Sequence, residues 1–248
     1  MIGVIKSDKG KVRLNNEDAY YFPPKCKKLP QLYIVADGMG GHQGGEIASK
    51  IAVREVSLYI NKHLQRDCSI TQVKEILQLS MERANGHILE MSVNNQELSG
   101  MGTTMTLALF HNRHLYIGHV GDSRAYRIRN NKIEQLTRDH SLVWQLAEQG
   151  RITIEETKTH PMKNVITKAL GTDEILEPDI LDFDFLDYDT IVLCSDGLTN
   201  MLENDKIKSI VCSFEPEQAT EKLIIEANSR GGQDNITVGI IKADKAGM

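Results

Sequence analysis

The sequence predicts an α+β fold in which two antiparallel sheets stack face to face with helices on the outside. Three observations lead there. Short apolar runs of strand type outnumber helical segments; the helical segments come mostly in pairs and do not alternate with strands; and no Pro-, Gly- or Ser-rich linker divides the 248 residues. A single domain over residues 1–248 is therefore expected.

The elements follow in chain order. Strands are expected at 2–7, 18–22 and 31–36, the last running into a glycine-rich loop. Ile47, Ile51, Val56 and Tyr59 fall near helical spacing, as do Val73, Leu77, Ala84, Ile88 and Met91, so two long helices come next. Ser69 is placed to cap the second. A β-rich block covers 103–110, 115–120, 125–129 and 132–136, with a hairpin turn at Asn130-Asn131. The stretch 141–172 carries a short helix around Trp144 and then less regular sequence. Strands return at 180–185 and 190–194, a helix follows over 216–229, and a last strand covers 236–241.

Bulk properties exclude several classes. The chain is 40% hydrophobic and 25% charged, the balance of a soluble globular protein. Its net charge is -5 and its basic residues are scattered, so no nucleic-acid surface is expected. No apolar run approaches the roughly 18–20 residues of a membrane helix. The N-terminus lacks a signal-peptide pattern, and no membrane, sensor or regulatory segment is expected beside the core. Cys26, Cys68, Cys194 and Cys212 show no CxxC spacing, which argues against a zinc knuckle and for reduced thiols in the cytoplasm.

The chemistry gathers in aspartates beside strands. Leu32-Tyr-Ile-Val-Ala36 leads into Asp37-Gly38, the strand at 115–120 into Gly121-Asp122, and Thr190-Ile-Val-Leu-Cys-Ser195 into Asp196-Gly197. The turn Gly231-Gly-Gln-Asp234-Asn235 leads into the last strand. Any one of these reads as a turn, since Asp-Gly is a common turn dipeptide. Four together place short carboxylates on rigid supports, and Gly38 leaves its carbonyl open to a ligand. An all-oxygen set favours Mg²⁺ or Mn²⁺, leaves Ca²⁺ open and suits zinc less. Two such ions can turn water into a nucleophile and hold an in-line displacement, which suits phosphate-ester hydrolysis. Arg13 offers a bidentate grip on phosphate, or else a surface salt bridge with Glu17; His42 offers a proton to a leaving alkoxide, or else is a solvated loop residue.

Other readings fail. The glycine loop has Gln43 where GxGxxG needs its last glycine, no Walker lysine motif exists, and no cysteine is followed six residues on by arginine. Ser195 is in no GxSxG elbow. Asp182-Phe-Asp184-Phe185 alternates as a strand, and His111, His114 and His119 read as strand residues.

RLNNEDAYYF, VADGMGGHQGGEIAS, SGMGTTMT, GHVGDSRAY, LTRDHS, CSDGL and GGQDNITV occur in this order. Together they resemble the motif series of the metal-dependent serine/threonine protein phosphatases, type 2C class, and most closely its compact bacterial members. The resemblance spans nearly the whole chain. It implies a central β-sandwich flanked on both sides by helix pairs, and hydrolysis of phosphoserine and phosphothreonine on proteins, reversing a cognate serine/threonine kinase. It implies that Asp37 bridges two Mn²⁺ or Mg²⁺ ions, that the Gly38 carbonyl holds one, and that Asp196 and Asp234 hold the other. Asp122 would help hold a weaker third ion, and Asp18 would act from behind through water. Arg13 would bind substrate phosphate, His42 would be the general acid, and 151–172 would be a flap beside the site. A cytoplasmic monomer is expected. The contrary reading, a silent module that only binds phosphorylated partners, has no need of paired metals.

Overall fold

A computed structural model describes residues 1–24, 29–40 and 44–243. The strands are β1 (Ile2–Asp8), β2 (Asp18–Tyr21), β3 (Gln31–Met39), β4 (Gly102–Thr103), β5 (Met105–His111), β6 (His114–Val120), β7 (Arg124–Arg129), β8 (Lys132–Gln135), β9 (Asp179–Asp184), β10 (Thr190–Cys194) and β11 (Ile236–Lys242). The α-helices are α1 (Gly44–His63), α2 (Ile70–Asn94), α3 (Leu142–Glu148), α4 (Ile154–Thr157), α5 (Asp196–Thr199), α6 (Asn204–Ser213) and α7 (Pro216–Ser229). A first sheet has the order β1-β11-β10-β7-β8. A second has the order β2-β3-β5-β6-β9, with β4 paired to β3. Neighbouring strands in both are antiparallel.

Alternation along the strands builds the layers, because successive side chains leave opposite faces. On β3, Leu32, Ile34 and Ala36 point to α1 and α2. Tyr33 and Val35 point instead between the sheets, where Ile117, Ile191 and Leu193 meet them. On β10 and β11, Val192, Val238 and Ile240 face α6 and α7, packing on Ile207, Leu223 and Ala227. Three apolar layers thus separate helices, sheet, sheet and helices, the sandwich that was expected.

Local signals explain most boundaries. Ser69 caps α2 through a reciprocal capping box with Gln72. Asn130 and Asn131 adopt positive φ in the β7–β8 turn, as Asn112 does in the β5–β6 turn, where His111 and His114 flank the reversal. Three details differ from expectation. β3 runs on to Met39, so Asp37 and Gly38 lie inside its ladder. The strand expected over 103–110 is interrupted at Thr104, whose N–H and hydroxyl turn to Asp37. α5 and α6 were not expected: α6 is short and begins at Glu203 with no side-chain cap.

Leu193 is fully buried between the sheets. Leu193→Ala should therefore cost about 2–5 kcal/mol in denaturant melts. Ser69→Ala, which removes only a cap, should cost about 1 kcal/mol.

Candidate active site

The sheets converge at one end on a cleft of about 490 Å³, lined by Arg13, Asp37, Gly38, Asp122, Asp196 and Asp234 among others. The second sheet supplies Asp37 from β3 and Asp122 from the turn after β6. The first supplies Asp196, just past β10, and Asp234, just before β11. Asp18 stands directly opposite Asp37 across the β2–β3 ladder. It lies behind the cleft, where its Oδ2 accepts hydrogen bonds from Ser195 (2.8 Å) and Thr237 (2.6 Å). His42 lies outside the described residues.

The backbone around Asp37 is clamped from three directions. Its N–H donates to Thr104 Oγ1 at 3.0 Å, while its carbonyl accepts from the Thr104 N–H and the Thr103 hydroxyl, both at 2.9 Å. Thr104 in turn meets Ser123 at 2.8 Å in the turn beyond Asp122. Gly38 is obligatory, since a Cβ there would lie 2.1 Å from the Gly45 carbonyl and 2.6 Å from that of Glu17. Thr103, Thr104 and Ser195 were not singled out from the sequence, although the runs SGMGTTMT and CSDGL contain them.

Arg13 donates to Asp234 Oδ2 at 2.7 Å, so its ion pair is with Asp234 and not with Glu17. Its loop is held by one side chain. Asn235 donates to the carbonyls of Lys9 and Asn15, both at 2.9 Å, and accepts from the Glu17 N–H at 2.8 Å. Asn200 donates to Asp196 at 2.8 Å.

The electrostatics are those of crowded, buried carboxylates. Burial, then Asp18, Asp196, Asp122 and Asp234, push Asp37 well above the usual carboxylate range. Burial first, then Asp196 and Asp139, raise Asp122 to about 8. Burial raises Asp18 to about 7, against the pull of its two hydroxyl donors. Burial and Asp234 raise Asp196, with Asp37 and Asn200 opposing. Two carboxylates share a hydrogen bond only while one keeps a proton. Among the described residues, Asp18 Oδ1 and Asp196 Oδ1 are buried with no hydrogen-bond partner. Orphaned acceptors among crowded acids fit hard cations. Among the described residues no three His, Cys, Asp or Glu side chains are gathered closely enough to hold an ion as they stand, so the aspartates would have to draw together around any ion, with backbone oxygen and water adding to the shell.

A sign follows for the metal-free protein. An unfolded aspartate titrates near 3.8, whereas Asp18 and Asp122 keep protons to about 7 and about 8. Between those limits the folded chain binds more protons than the unfolded one, so stability falls as pH rises. Metal-free protein should melt lower at about pH 8.5 than at about pH 5.5, and Mg²⁺ should narrow the gap by pairing the carboxylates. A Tm that climbs across this interval would contradict the assignment.

Comparisons with known proteins bear on the whole fold. The family model for Protein phosphatase 2C matches residues 6–236. The chain is 38% identical over 240 residues to the serine/threonine phosphatase stp of Listeria monocytogenes, covering 96% of this chain and 94% of that one. The crystal structure of the Mycobacterium tuberculosis serine/threonine phosphatase PstP/Ppp superimposes with a TM-score of 0.89 at 32% identity, covering 98% of both chains. A structure of the PstP catalytic domain in complex with two manganese ions superimposes with a TM-score of 0.85 at 32% identity, again covering 98% of both. With the motif order, the layered fold and the acidic cleft all in agreement, the chain belongs to the protein phosphatase 2C family.

Proposed function

We infer that the aspartate cleft holds the divalent ions with which this chain dephosphorylates proteins. The chain is a serine/threonine protein phosphatase of the 2C type. The observation that carries the reading is the convergence of Asp37, Asp122, Asp196 and Asp234 on one cleft.

Asp37, the Gly38 carbonyl, Asp196 and Asp234 would hold two Mn²⁺ or Mg²⁺ ions, and Asp122 would help hold a weaker third. When bound, such ions activate water and neutralise charge building on the phosphoryl oxygens. The protein groups do the rest. The Arg13 guanidinium, now held by Asp234, is placed at the cleft mouth to take two phosphate oxygens of the substrate. Asp18 accepts hydrogen bonds from Ser195 and Thr237 through Oδ2, which leaves its buried Oδ1 without a protein partner to act on the site through water. His42, five residues after Asp37, is assigned the proton for the leaving serine or threonine alkoxide on its place in the chain.

The 151–172 segment, which contributes Asn164 and Ile166 to the cleft, is assigned as a flap beside the substrate. The substrates are phosphoproteins, and a cognate serine/threonine kinase is their source. No helix among the described residues is long and apolar enough to cross a membrane. The free thiols Cys68, Cys194 and Cys212 suit a reducing cytoplasm.

Mn²⁺-dependent phosphate release from a phosphothreonine peptide should disappear with chelator. It should fall by at least about 100-fold in Asp37→Asn, since residues merely supporting a metal ligand already cost about 10–100-fold. Activity surviving both changes would sink the mechanism. Arg13→Ala should raise KM about 10-fold or more, the loss of one charge-assisted hydrogen bond of about 1.5–3 kcal/mol. His42→Ala should slow alkyl phosphates more than aryl phosphates, and equal slowing would remove the general acid.

A further inference from the structure

The LTRDHS segment has no part in the chemistry above, yet three consecutive residues of it reach back to the turn that carries Asp122. The Arg138 carbonyl accepts from His119 Nε2 at 2.9 Å. Asp139 receives Arg124 through Nε at 2.9 Å and Nη2 at 2.6 Å, a two-point ion pair. His140 makes the closest approach. Its N–H donates to the Gly121 carbonyl at 2.7 Å, and the Gly121 N–H donates to His140 Nδ1 at 3.1 Å.

That reciprocal pair fixes more than distance. A backbone N–H can only donate, so Nδ1 must carry its lone pair and the ring proton sits on Nε2. Nε2 then donates to Asp179 Oδ2 on β9 at 3.2 Å. The ring lies 4.9 Å from that of His119, centroid to centroid, and its side chain is only 12% exposed. On its other side the His140 carbonyl accepts from the Thr167 N–H at 2.8 Å, and Leu142 N–H reaches the Val165 carbonyl at 2.9 Å. Ser141 and Ile166 are bridged between these two bonds. Ile166 and its neighbour Asn164 line the cleft. Gly121 has φ +107°, and a Cβ would meet Thr104 at 2.6 Å, so this residue has no side chain of its own with which to hold the turn.

We propose that His140 is a positioning residue that locks the Gly121-Asp122 turn and joins it to the 165–167 segment at the flap base, so that Asp122 and the cleft wall move as one piece. The proposal rests on the reading of Asp122 as the ligand of the weaker third ion. A group that orients a ligand from behind commonly governs affinity by about 10–100-fold.

Two substitutions separate the ring's contacts. In His140→Asn the side-chain oxygen stands near the place of Nδ1 and can still accept from Gly121. In His140→Gln the amide reaches toward Asp179 and leaves Gly121 without its acceptor. Two measurements are made on each, and on His140→Ala: amide hydrogen exchange at Gly121 and Thr167 in metal-free protein, and Mn²⁺ binding followed by the electron paramagnetic resonance of free Mn²⁺. The Ala and Gln variants should speed exchange at Gly121 and weaken the weakest Mn²⁺ by about 10-fold or more, while Asn stays near wild type. Wild-type exchange and binding in Gln would overturn the proposal, as would Asn falling as far as Gln. If Ala does not fold, the Asn–Gln pair decides alone. Asp122→Asn serves as the separate check on the underlying reading. A Mn²⁺ isotherm it leaves unchanged removes Asp122 from the metal site, whereas the exchange at Gly121 still judges the lock.

Discussion

Everything at this site follows from the cost of bringing carboxylates together away from water. Asp37, Asp122, Asp196 and Asp18 are all pushed toward the neutral form, with burial the first cause in each. Left to themselves such groups would turn outward or take up protons. They stay because their backbones lie within or directly beside strands whose apolar faces are packed on both sides. Divalent cations held there, as proposed, would relieve this repulsion.

The two sheets share this burden. One contributes Asp37 and Asp18, the other Asp196 and Asp234, and the turn bearing Asp122 crosses between them. The stitches run the same way. Ser195 and Thr237 of the first sheet donate to Asp18 of the second. Asn235, at the start of β11, gathers the loop that presents Arg13. The cleft is therefore a seam between layers, and a ligand bound there is held by both.

Much of this was legible in the sequence, and the reason is local. Each aspartate is announced by an apolar run and a glycine, signals carried within six or seven residues. The layers follow from alternation along 31–36 and 190–194 in the same way. What stayed hidden depends on distant partners. Arg13 has Glu17 four residues away but pairs with Asp234, 221 residues on. Thr103 and Thr104 sit in a β-favouring run, and nothing local says that both hydroxyls and the Thr104 amide turn toward Asp37. α6 buries only Ile207, Ile210 and Val211 and lacks a capping side chain, so its signal is short and unpunctuated. The tautomer of His140 is set by an amide nineteen residues earlier.

The pairing of Asp18 with Asp37 has a consequence for where the chain can change length. The two residues face each other because β2 and β3 are in one register, from Asp18 against Asp37 to Tyr21 against Ile34. Side chains alternate strictly, so one residue inserted between 31 and 37 would exchange the face packed on α1 and α2 with the face packed on the other sheet. Doubling the length of the connection between β2 and β3 would cost only about 0.6 kcal/mol in closure entropy. Insertions and deletions should thus be filtered by parity inside the strands and passed freely between them, leaving the spacing of the acidic residues as a ruler while the loops around it drift.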